Sequence, residues 1–72
     1  MPHIQIDLWP GRSEEKMKDF ADKVVDLAVR ELGAKREAFT VGVKEVNKED
    51  WNDFFAKEIN PEEIVLDCRK GE

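Results

Sequence analysis

Two short stretches of alternating polarity, separated by one long stretch of helical periodicity, constrain this chain more than its composition does. In the first stretch Ile4, Ile6 and Leu8 share a face with Pro2, while His3, Gln5 and Asp7 share the other. A period of two marks a half-buried strand. Trp9-Pro10-Gly11 ends it, because Pro10 cannot donate to a ladder and Gly11 frees the backbone to turn. From Glu14 to Leu32, the residues Met17, Phe20, Ala21, Val24, Ala28 and Leu32 follow helical spacing, and Val25 and Leu27 widen the stripe. Ser13 supplies an N-cap, Glu14 and Glu15 suit the positive end of the helix dipole, and Gly33 is a C-terminal stop. A second strand is predicted over Phe39 to Val46, with Phe39, Val41 and Val43 on one face and Thr40, Gly42 and Lys44 on the other. Gly42 within it marks a kink or the close approach of another backbone. Strand, helix and strand predict a βαβ unit with parallel strands and a right-handed crossover.

The remaining third is less regular. Asn47 or Lys48 leads into a short amphipathic helix over Glu49 to Ile59, whose apolar positions are Trp51, Phe54, Phe55 and Ile59. Pro61 stops it by disfavouring the helical region for Asn60. Glu62 to Leu66 is expected to form one further turn or a short strand, and Asp67 to Glu72 to fray.

With 72 residues the chain is expected to be a single domain over 1–72. A chain of this length buries only about 60% of the surface it exposes when unfolded. Its single cysteine, Cys68, forms no internal disulfide and points to a reducing compartment, and no Cys/His cluster suggests a metal. Two parallel strands and one helix cannot cover themselves, so self-association is the expected source of further burial. The net charge of −5 gives no reason to expect nucleic acid or an anionic membrane as a partner. Neither a membrane span nor the layout of a signal peptide is visible, so a soluble cytoplasmic protein is expected.

Pro2 carries the first chemical suggestion. Methionine is commonly trimmed when a small residue follows, and loss of Met1 would leave a free secondary amine at the head of a strand. Such an amine accepts or donates a proton once its affinity for that proton is brought near neutrality. If Met1 is retained, the Pro2 nitrogen is an amide without a basic lone pair. The chain would then be a non-catalytic oligomeric module.

Pro2 opening a strand, the Gly11-Arg12-Ser13 turn entering the long helix, the βαβ order and the short second strand together resemble the 4-oxalocrotonate tautomerase family. The likeness is greatest to a subgroup whose last third carries a short Trp-containing helix, here Glu49 to Ile59. The resemblance implies a βαβ tautomerase-type α/β protomer completed by oligomerisation, as a homodimer in that subgroup or as a hexamer in the wider family. It also implies keto–enol or double-bond tautomerisation of a small 2-keto acid, without metal or cofactor. Proline-dependent hydration and dehalogenation are alternatives open to the same residues. Pro2 matches the proton-shuttling proline, and Arg12 an arginine that binds the substrate carboxylate and faces the developing enolate. Trp51 takes the place of an aromatic wall of the pocket. On spacing alone, Trp51 with Phe54 and Phe55 equally describes core or interface packing.

Burial beside Trp51 and repulsion from Arg12 would each lower the amine's affinity for its proton. A fixed positive charge facing the enolate oxygen lowers the barrier to forming it. The chain departs from the family at Thr40, where a second substrate-binding arginine is expected. A preference for monocarboxylate over dicarboxylate enols follows, unless Lys35, Arg36 or Lys44 replaces that arginine. Lys35, Arg36 and Lys44 are read as solvated surface, and His3, on the face opposite Pro2, as an interface residue.

Overall fold

The computed structural model describes residues 1–70. Strand β1 runs His3–Leu8, helix α1 Glu14–Leu32, strand β2 Thr40–Glu45 and helix α2 Trp51–Glu58. The two strands pair in parallel, with His3 opposite Thr40, Gln5 opposite Gly42, and Leu8 opposite Glu45. The crossover through α1 makes the expected βαβ unit. Its even positions on β1 and odd positions on β2 form one face; His3, Gln5, Asp7, Thr40, Gly42 and Lys44 form the other.

Local chemistry accounts for the helix bounds. The Ser13 hydroxyl accepts a hydrogen bond from the Lys16 backbone N–H at 3.0 Å, satisfying one of the unpaired donors of the first turn. At the far end Gly33 adopts φ 78°, and its N–H closes on the Val29 carbonyl. Both termini of α1 therefore stand where sequence places them. β2 is shorter than the Phe39–Val46 reading. Phe39 closes a 3₁₀ turn over Arg36–Ala38, and Val46 extends the pairing only through its N–H to the Leu8 carbonyl at 2.8 Å.

Gly42 serves a different purpose from the one expected of it. A Cβ there would stand 2.5 Å from Gln5 Oε1, so the glycine makes room for a side chain of the neighbouring strand and not for another backbone. The tail also differs from its expectation. A 3₁₀ turn forms over Cys68–Lys70, Asp67 pairs with Arg69 at 2.8 Å, and the Arg69 guanidinium lies 4.9 Å from the centre of the Phe55 ring. That cation–π contact docks the segment on α2 in place of fraying. Residues 71 and 72 of that stretch lie outside the described residues.

The protomer has little interior. Among the described residues, the buried apolar side chains are Met17, Val25 and Val46. Phe20 and Leu27 are 47% and 50% exposed on α1, and Val65 is 98% exposed near the tail. α2 stands clear of the backbone of both strands and of α1. The radius of gyration is 13.8 Å, against about 11 Å for a compact domain of this length. A three-residue core cannot offset the ordering entropy of some seventy residues, which costs about 1–2 kcal/mol each for the backbone alone. Stability must therefore come with association, and it will depend on concentration. The urea midpoint is expected to rise as protein concentration is raised from low to high micromolar. An unchanged midpoint over that range would show that the protomer folds by itself.

Candidate active site

Gly11 adopts φ 130°, a backbone conformation that favours glycine, and it swings the chain from the end of β1 toward α1. This places Arg12 immediately before the Ser13 cap. The guanidinium reaches back to the Trp9 carbonyl, with Nη1 at 3.4 Å. Trp51, the first residue of α2, faces the same turn. Arg12, Trp51, Asp7, Leu8 and Trp9 border one open depression of about 710 Å³. The exposed Arg12 guanidinium supplies positive charge to this depression, and Asp7 is the carboxylate on its border.

Arg12 also borders a smaller, apolar groove of about 360 Å³ along the free edge of β1, walled by Ile6, Leu8, Met17 and Phe20. Lys16, one helical turn after Arg12, shares that groove. The only sign of Lys16 in the sequence is its place in the first turn of α1, four residues after Arg12. Trp9 reads there only as part of a turn. Its ring lies 5.2 Å from Lys48 Nζ, which links the β1–α1 turn to the approach into α2.

The other cations stand elsewhere. Arg36 bridges Asp22 and Asp26 and so ties the turn before β2 to α1. Lys44 Nζ lies 5.0 Å from the centre of the Phe54 ring. Neither borders the depression that holds Arg12 and Trp51.

Pro2 lies at the opposite end of the strand. Its carbonyl accepts from Thr40 N–H at 3.2 Å, and its ring is half-buried. Six residues of extended chain separate Pro2 from Leu8, about 20 Å at the usual strand rise. Of the three residues singled out in the sequence, one protomer brings Arg12 and Trp51 together and leaves Pro2 apart. A copy of the chain laid antiparallel beside β1 would reverse this, bringing the start of one strand next to the end of the other. The apolar groove flanks that edge.

The sequence profile of the family described as "Tautomerase enzyme" matches residues 2–52, from Pro2 to just past Trp51. Among curated relatives, tautomerase PptA of Cronobacter sakazakii is 31% identical over 73 aligned positions, covering 99% of this chain and 96% of the relative. A probable tautomerase of Staphylococcus epidermidis is 35% identical over 51 residues, 71% of this chain and 84% of its own length. Another, from Staphylococcus haemolyticus, is 38% identical over 48 residues, 67% of this chain and 77% of its own. With a βαβ fold and a match over most of its length, the chain belongs to the tautomerase family of isomerases.

Proposed function

We propose that the chain tautomerises small monocarboxylic 2-keto acids and their enols at a site built between two copies of itself. The observation that carries this reading is the separation of Pro2 from the depression bordered by Arg12 and Trp51. After removal of Met1, the Pro2 amine takes the proton of the enol hydroxyl and delivers it to the carbon next to the ketone that forms, and the reverse transfer returns the enol. Arg12 of the other copy holds the carboxylate and faces the oxygen on which charge develops. Trp51 walls the pocket and limits hydration of the amine, which lowers its affinity for a proton.

An isologous dimer meets the geometric requirement. Pairing β1 with its copy across a two-fold axis covers the apolar groove with an equivalent surface and sets each Pro2 beside the other copy's β1–α1 turn. One dimer then contains two sites, each made of residues from both chains. Arg12 and Lys16 supply positive charge at one end of the substrate, whereas Thr40, at the Pro2 end of the sheet, supplies none. The chemistry therefore favours one carboxylate and an alkyl or aryl group over two carboxylates.

Pro2→Ala and Arg12→Ala homomers are each expected to lose most activity toward phenylenolpyruvate, by on the order of a hundredfold for the arginine that faces the oxyanion. Mixing the two variants under conditions that exchange subunits should restore roughly a quarter of the wild-type activity, because half of the mixed dimers are heterodimers with one intact site. No recovery on mixing, with exchange verified by mass spectrometry, would place Pro2 and Arg12 outside a shared site.

Substrate preference is tested at Thr40. Thr40→Arg should raise the ratio of kcat/KM for a dicarboxylic enol to that for phenylenolpyruvate. A wild-type enzyme that already prefers the dicarboxylate would show that another cation serves the second carboxylate.

A further inference from the structure

Thr40 holds both of the residues that open the mature chain. Its backbone N–H donates to the Pro2 carbonyl at 3.2 Å, and its Oγ1 lies 2.7 Å from His3 Nδ1. The hydrogen bonds beyond His3 fix the direction of this second contact. Asp7, as a carboxylate, only accepts, so the Gln5 amide nitrogen donates to Asp7 Oδ1 at 3.3 Å. That turns Gln5 Oε1 toward His3 Nε2, 3.2 Å away. A carbonyl oxygen also only accepts, so Nε2 carries the hydrogen. In the neutral ring Nδ1 is then the acceptor, and the Thr40 hydroxyl donates to it. Gly42 completes the arrangement, because any Cβ at that position would displace the Gln5 amide from the sheet face. The charged groups on this face are Asp7 and, opposite it, Lys44.

These groups are exposed, where a hydrogen bond contributes little to stability. Their effect is positional. Pro2 precedes the first residue of β1, and chain ends fray unless tied down. The proline ring fixes φ but leaves ψ free, and rotation about ψ would swing the ring nitrogen away from its substrate. The peptide between Pro2 and His3 is gripped on one side by the Thr40 N–H. On the other side the His3 side chain is gripped by the Thr40 hydroxyl and the Gln5 amide.

We infer that Thr40 and His3 are positioning residues that clamp the N-terminal peptide and thereby aim the Pro2 amine. The inference rests on the reading of Pro2 as the proton carrier. It also gives Thr40 a task in place of binding a second carboxylate.

The test uses full-length oligomeric protein whose loss of Met1 is verified by intact mass. Thr40→Val removes the hydroxyl but keeps the backbone N–H and a residue suited to a strand. It should lower kcat for phenylenolpyruvate about tenfold, as small misplacement of a reacting group does, with little change in KM or urea midpoint. Thr40→Ser, which keeps the hydroxyl, should restore kcat. His3→Leu, which removes the contacts to both Thr40 and Gln5, should lower kcat at least as much as Thr40→Val. The double variant should be no worse than His3→Leu alone, since both changes remove the Thr40–His3 contact. Heteronuclear NOE values at the Pro2 carbons should fall in Thr40→Val and recover in Thr40→Ser.

An unchanged kcat in Thr40→Val, a loss that serine does not repair, or multiplicative losses in the double variant would overturn the clamp while leaving the proline reading intact. The proline reading fails separately. If wild-type protein stays fully active after 3-bromopyruvate has alkylated the Pro2 nitrogen with release of bromide, both the reading and the inference built on it are overturned.

Discussion

The parallel pairing of β1 with β2 is the constraint on which the rest depends. Antiparallel strands can be joined by a tight turn, but parallel strands require a crossover, and here that crossover is α1. With only six residues in each strand, one helix cannot shield the sheet it connects. Phe20 and Leu27 remain half-exposed on α1, and among the described residues no third strand pairs with either sheet edge. An open strand edge beside an apolar groove is an invitation to pair. Incomplete burial is thus a direct consequence of the topology, and in the proposed dimer the second copy would both relieve it and supply the other half of the site.

The same register separates two chemical tasks. At the start of β1 stands Pro2, whose nitrogen would become an amine on the proposed loss of Met1. At its end stand Arg12 and Lys16, which supply positive charge. In an isolated chain the 20 Å between them prevents interference as well as cooperation. Across an antiparallel pair the proton carrier and the cation converge. In the proposed dimer one side chain, Arg12, would act both on the substrate's developing charge and on the amine's proton affinity.

Much of the fold was legible in the sequence because it is written in local chemistry. Ser13 and Gly33 bound α1, and alternation assigns Ile4 and Val41 to one face and His3 and Thr40 to the other. Pro61 marks the stop after α2, where Asn60 caps a new 3₁₀ turn by accepting from Glu62 N–H at 3.0 Å. What sequence did not convey depends on distant partners. Gly42 was read for its backbone, whereas its neighbour is the Gln5 amide. Cys68 to Lys70 carried no periodicity, and the segment is held by Arg69 against an aromatic ring fourteen residues earlier. Arg36 looked like solvated surface, but two aspartates on α1 are spaced one turn apart to receive it. Pro2, Arg12 and Trp51 could be named from pattern and resemblance. That one protomer keeps Pro2 apart follows from strand length, which periodicity alone does not count.

Processing and assembly are linked by the same geometry. Met1 is fully exposed in the protomer, while the Pro2 ring behind it is already half-buried and its carbonyl is committed to Thr40. The bond joining Met1 to Pro2 is therefore accessible before another chain covers that end of β1. In the proposed dimer the nitrogen released by its cleavage faces the partner's β1–α1 turn. There a retained methionine would occupy the space meant for substrate and would leave the nitrogen as an amide. On that proposal, removal of Met1 would precede or accompany pairing. In the proposed dimer each site would thus draw on a strand head already fixed by Thr40, an amine exposed by loss of Met1, and the arginine of a second chain.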